Sequence, residues 1–241
     1  MADKKTIALF GAGTGLGASL ATRFGREGYR VALVARRAGP LEERVAELAA
    51  AGIEAAAFPA DLTDIDGIRA LVGLIEERFG SIHVAVYAPV PSGIGFVPAV
   101  DLDGSTLKSM APIFTFAPIE VAHAVLPGML ARGDGAVVVV GGLTAVVTMP
   151  GMSGVGPLMA AARNYVFTLN AEAAEKGVYA GTVNIGAMID RSAGLRAMTA
   201  GGTPLDPRYP VIDPDDIAEE IWTLVTRRDR AEAILPPLPQ A

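Results

Sequence analysis

Directly after a short apolar run, Thr6 to Phe10, the chain reads Gly11-Ala12-Gly13-Thr14-Gly15-Leu16-Gly17 and then turns amphipathic. Glycines so spaced let backbone amides approach a phosphate, and a helix opening near Gly15 adds free N–H donors and partial positive charge. That is the chemistry of a dinucleotide site, with Gly11, Gly13, Thr14, Gly15, Leu16 and Gly17 around the pyrophosphate. The spacing is Gly-x-x-x-Gly-x-Gly; Leu16 stands where the commoner Gly-x-Gly-x-x-Gly needs its last glycine. A tight strand-to-helix turn is the plain alternative, and the strand, turn and helix order favours the nucleotide.

About twenty residues on, where an NAD site places an acid for the ribose 2′-hydroxyl, the chain carries Ala35, Arg36 and Arg37. No carboxylate is there to repel a 2′-phosphate, and two guanidiniums can bind one, so NADPH is the expected cofactor. Two solvated loop arginines are the competing reading. Asp61 is the expected adenine contact, with Leu62 next to it. Ala88 and Pro89 after the fourth apolar run, and Gly186 and Met188 after the sixth, complete the expected cofactor neighbours.

The elements that must position these residues alternate between short Val- and Ile-rich runs and longer amphipathic ones, as in βαβ units. Strands are expected over 6–10, 30–35, 53–58, 82–87, 136–140, 179–185 and 233–235. Helices are expected over about 15–28, 41–51, 64–79, 102–131, 152–176 and 213–227. Asp64 is the predicted N-cap of the third helix, and the long fourth should bend near Pro112 and Pro118. The expected fold class is α/β: a three-layer, doubly wound parallel sheet of the Rossmann type. It should form a single domain over 1–241 with a substrate lid around 187–212.

Composition narrows the function. The 241 residues are 51% hydrophobic and carry a net charge of -6, which suits one packed core and disfavours nucleic acid as a partner. Without Cys, disulfides, thiolate zinc and thiol catalysis are excluded, and His83 and His123 alone make a metal site improbable. The longest apolar stretch, 136–149, is interrupted by Gly141, Gly142 and Thr144 and is too short to span a bilayer. The start, MADKKTIALFGAG, has no cleavable signal pattern, so a cytoplasmic protein without membrane contact is expected.

With Gly11, Gly15 and Gly17, the Asp61-Leu62-Thr63 step and the Leu126-Pro127-Gly128-Met129 helix end, the chain resembles the short-chain dehydrogenase/reductase superfamily over nearly its whole length. The resemblance implies a helix-four Asn, a Ser after strand five, and a Tyr-x-x-x-Lys pair on helix five as the carbonyl-reducing set. By spacing these positions hold Phe114, Gly142, Val155 and Met159. No tyrosine in the chain has Lys four residues later, and 101–131 contains no Asn. The resemblance also implies a homodimer or homotetramer through the fourth and fifth helices, where His123 would pack.

Fold and cofactor therefore carry over, while the standard acid does not. Hydride transfer without a proton donor suits an already activated carbon, so the expected substrate is an iminium or hemiaminal, such as that of a hemiaminal antibiotic. Thr144, Ser153 and Tyr87 are the polar residues left to tune that pocket, although turns and caps are their ordinary use. Asp190 could pair with a substrate amine, and Met188 and Met198 suggest an apolar lid. The rival readings are a non-catalytic NADPH-binding sensor or partner protein, and a carbonyl reductase using Tyr87, Tyr165 or His123 as substitute acid.

Overall fold

The computed structural model describes residues 4–90, 97–202, 205 and 210–238. The strands β1 (Thr6–Phe10), β2 (Arg30–Ala35), β3 (Ala55–Pro59), β4 (Val84–Tyr87), β5 (Gly135–Gly142), β6 (Val178–Ile185) and β9 (Glu232–Leu235) form one parallel sheet, ordered β3-β2-β1-β4-β5-β6-β9. The chain builds outward from β1 in one direction, then returns to β4 and builds in the other. The crevice between β1 and β4, where this reversal occurs, is where such sheets bind ligands.

Alternating residues of β1 divide the interior. Ile7 and Leu9 join the cluster under α1 (Leu16–Arg26), α2 (Ala38–Ala50) and α8 (Pro214–Arg227). Ala8 and Phe10 join the one under α3 (Ile68–Phe79), α5 (Ala117–Arg132) and α6 (Gly156–Ala173). Both faces are covered, which is why the strands read as continuous apolar runs. Phe10, Phe24 and Phe79 are fully buried, each contributing about 1.5–3 kcal/mol through removal of apolar area from water.

Two expectations are corrected in detail. Asp64 does not cap a helix starting at 64: its Oδ1 accepts the Gly67 N–H at 3.3 Å, and α3 begins at Ile68. The long fourth helix divides into α4 (Gly104–Ala111), a π-turn over Pro112–Phe116, and α5. Pro112 lacks the N–H that would continue the α-ladder, and the widened turn closes with Ala117 N–H donating to Pro112 O. Pro118 sits in the first turn of α5, where proline is best tolerated. The path Gly104–Arg132 is long and apolar enough to cross a membrane by composition, but Val121, Val125 and Met129 pack under the sheet as core.

The predicted lid region contains structure of its own. Met188–Ile189 (β7) pairs in parallel with Val211–Ile212 (β8), and Ala193–Met198 (α7) lies between them. The lid residues 203, 204 and 206–209 lie outside the described residues.

Candidate active site

Every element named for the nucleotide ends at one edge of the sheet. At Gly11, with φ +101°, a Cβ would lie 2.5 Å from Pro89 N and 2.7 Å from the Ala88 carbonyl carbon. The backbone of Ala88 and Pro89 therefore rests directly on the turn, and Ala88 N–H donates to Phe10 O at 2.8 Å. At Gly17 a Cβ would meet Ala12 backbone at 2.9 Å, so the turn folds tightly onto α1. Gly13 differs: it is exposed, and a Cβ there would meet nothing nearer than its own turn's Gly11 O at 4.0 Å. The back of the turn is sealed and its front is open, a cradle of the kind a pyrophosphate fills. Gly15, at the mouth of α1, has no side chain to cap the helix, so the first-turn N–H groups of Leu16 and Gly17 have no capping oxygen.

Arg36 and Arg37 follow β2 and are exposed, and neither has a hydrogen bond or ion pair among the described residues. The third strand ends beside them, with Ala60 N–H donating to Ala35 O at 3.0 Å. Asp61 Oδ1 accepts the Thr63 N–H at 2.9 Å and its hydroxyl at 2.8 Å; those bonds, with the charge of Arg36, hold its carboxyl below the usual range. Leu62 is buried in the core and serves as the anchor of this corner.

At the end of β5 the expected positions Gly142, Thr144 and Met159 meet. The Met159 sulfur accepts the Gly142 N–H at 3.2 Å, and the Thr144 hydroxyl lies 3.8 Å from it. A Cβ on Gly142 would lie 3.4 Å from that sulfur and 3.5 Å from Thr144 Oγ1, so the thioether closes over the glycine. Val155 is buried at the entry of α6, and Phe114 is buried within the π-turn, 6% exposed. Ser153 is held by its backbone N–H on Val97 O at 2.9 Å, and its hydroxyl has no partner among the described residues.

Tyr87 is a further correction. Its ring is part of the core under α5, and its hydroxyl donates to Ile113 O at 2.5 Å, inside the π-turn. Burial pushes that hydroxyl's pKa well above its ordinary value, so it holds its proton and secures the turn. Tyr165 packs against the same core, and burial raises its pKa too. His123 is exposed, its Nε2 3.2 Å from Arg69 Nη2. None of the three substitute acids stands with Thr144 and Met159.

Beyond β6, Gly186 N–H donates to Leu235 O at 2.7 Å, and a Cβ there would strike Leu143 at 2.8 Å, so this glycine lets the chain leave the sheet beside the β5 turn. Met188 begins β7, its N–H on Pro210 O at 2.8 Å. The lid then doubles back over the phosphate turn: a Cβ on Gly15 would lie 3.1 Å from Asp190 O and 3.2 Å from Ser192. Asp190 Oδ1 accepts the Arg191 N–H at 2.7 Å. Sequence reasoning missed Arg196, which reaches from α7 to Thr14 Oγ1 at 2.7 Å; 182 residues separate the two, and no local pattern pairs them.

Comparison with known proteins agrees with this geometry. A family model described as short chain dehydrogenase matches residues 5–194. The chain is 27% identical over 230 residues to 2-(S)-hydroxypropyl-CoM dehydrogenase 3 of Xanthobacter autotrophicus, covering 92% of this chain and 89% of that protein. To the dehydrogenase/reductase SDR family protein 7-like of Drosophila melanogaster it is 28% identical over 240 residues, covering 93% and 71%. Among solved structures, a variant of actinorhodin polyketide ketoreductase with NADPH superposes with a TM-score of 0.83 at 23% identity, covering 96% and 95%. A metagenomic short-chain oxidoreductase in complex with NADP gives 0.78, also at 23% identity, covering 98% of both chains. The structural likenesses establish the fold.

Proposed function

Because the chain belongs to the short-chain dehydrogenase family and is thereby an oxidoreductase, we propose that it is an NADPH-dependent reductase of activated C=N carbon, iminium or hemiaminal, in a small natural-product-like substrate. The bound cofactor supplies hydride, which needs orientation and an electrophilic carbon. The glycine turn would hold the pyrophosphate, and Arg36 and Arg37 the 2′-phosphate. NADP and NADPH in the solved relatives support that cofactor.

The observation that carries the substrate class is the thioether of Met159 against Gly142 N–H and Thr144. A carbonyl reductase needs a general acid and an oxyanion donor, and lacking both raises its barrier by roughly 5–10 kcal/mol. An iminium needs neither, because hydride converts it directly to a neutral amine, and a hemiaminal gives the same cation once its nitrogen lone pair expels the hydroxyl as hydroxide. A lysine ammonium about 6 Å from that cation would repel it by about 3 kcal/mol at an effective dielectric of 20, and Met159 carries no such charge. Thr144 orients the substrate through its hydroxyl, and Asp190 on the lid attracts its positive charge.

The reading extends to a cytoplasmic homodimer or homotetramer through α5 and α6; the association is supported by Leu130, exposed on α5, and Phe116, exposed at the end of the π-turn that leads into it. The substrate reading is tested by following NADPH oxidation against matched ketones, cyclic iminium ions and hemiaminals, with NADH as control. Turnover of the C=N substrates with little of the ketones is expected; rapid ketone turnover rejects the reading. Tight NADPH binding with no consumption against any electrophile would identify a binding protein instead.

A further inference from the structure

The two ends of the lid helix α7 are tied down differently. Before its start, Arg191, held at φ +57°, places its guanidinium 2.5 Å from Asp213 and 3.0 Å from Asp215 at the head of α8. Near its end, Arg196 donates to Arg191 O at 2.7 Å and to Thr14 Oγ1 at 2.7 Å. The first arginine is neutralised by two carboxylates of the protein body. The second bonds only to a carbonyl and a hydroxyl, both neutral, and forms no ion pair among the described residues. Among the described residues it is a cation without an ion-pair partner, placed on the one residue of the glycine turn that is exposed and bears a side chain.

Resting on the nucleotide reading above, we propose that Arg196 is the lid's clamp on the dinucleotide's diphosphate. When that dianion occupies the turn, a charged acceptor replaces the neutral Thr14 hydroxyl, and a guanidinium–phosphate contact is the stronger bond. Arg191 stays fixed on Asp213 and Asp215 as the hinge pin, so occupancy of the turn draws α7 down over the site. The clamp reads the diphosphate, common to both nicotinamide dinucleotides, whereas Arg36 and Arg37 read the 2′-phosphate that only one carries.

The test measures NADPH and NADH dissociation constants by fluorescence for wild type, Arg196→Ala and Arg196→Lys, with hydrogen exchange over 193–198. Arg196→Ala is expected to weaken both nucleotides by the same factor, about 10- to 100-fold, the worth of one hydrogen bond to a charged group. Arg196→Lys should recover part of that loss. NADPH should slow exchange over 193–198 in the wild type and leave it fast in Arg196→Ala. Unchanged affinity for both nucleotides in Arg196→Ala overturns the proposal, even if lid exchange rises, because Arg196 is then only a staple. A loss confined to NADPH also overturns it. Absence of nucleotide binding in the wild type overturns the underlying cofactor reading, and failure to reduce C=N substrates overturns only the substrate class.

Discussion

The two ends of the parallel sheet carry similar charges and treat them oppositely. At the amino ends of the strands, Lys5 and Arg228 both pair with Asp134, at 2.9 and 2.7 Å, and Arg132 donates to the carbonyl oxygens of Ile82, Gly128 and Asp134. A cavity of about 430 Å³ opens there, lined by Lys5, His83, Asp134 and Arg228, but its charged groups already satisfy one another. At the carboxyl ends, Arg36, Arg37 and Arg196 form no ion pair among the described residues, and the amides of the α1 mouth have no side-chain cap. Paired charge is architecture and unpaired charge marks a ligand; a cavity by itself does not tell the two apart.

Five changes would break or sharpen this contrast. The largest effect is expected within one turn: Gly11→Ala forces a Cβ into the Ala88–Pro89 backbone at an unfavourable φ and should cost about 2–4 kcal/mol of stability. Gly13→Ala, with open space before it, should leave the denaturation midpoint nearly unchanged and weaken NADPH binding. Next, replacing Arg36 and Arg37 together with Ala should reduce NADPH affinity by about 100-fold and leave NADH affinity within a small factor, as titration would show.

At the other end, Asp134→Ala should cost no more than about 1 kcal/mol, because the paired groups are about a third or more exposed and solvent-screened, and it should not alter nucleotide affinity. The smallest effect is one of pH. Burial, with Arg132 nearby, lowers the His83 pKa from its ordinary 6.5. The folded state thus binds this proton less readily than the unfolded chain does. Stability should decline as pH falls through about 6.5 toward 5, by less than about 1 kcal/mol, and His83→Gln should flatten that limb of the melting curve.

Much of the fold is written in local pattern. The bounds of β1 and β2 follow from their apolar runs, and the turn glycines and Arg36–Arg37 follow from strand-end spacing, since each depends only on near neighbours. The missing parts depend on distant partners. Tyr87 reads as a polar residue at a strand end, yet Ile113, in a π-turn no periodicity forecasts, takes its hydroxyl. The two-residue strands β7 and β8 are too short to alternate, and 211 finds 188 only because the lid folds back. The absence of an acid near Met159 was legible from residue types alone; that its sulfur would accept the Gly142 N–H required the geometry.

The most direct measurement uses NADPH deuterated at the transferring C4 position, with a cyclic iminium and its isosteric ketone in parallel reactions. The amine should carry deuterium at the former iminium carbon while the ketone returns unlabelled. A labelled alcohol formed at a comparable rate would contradict a site that works without its own proton donor.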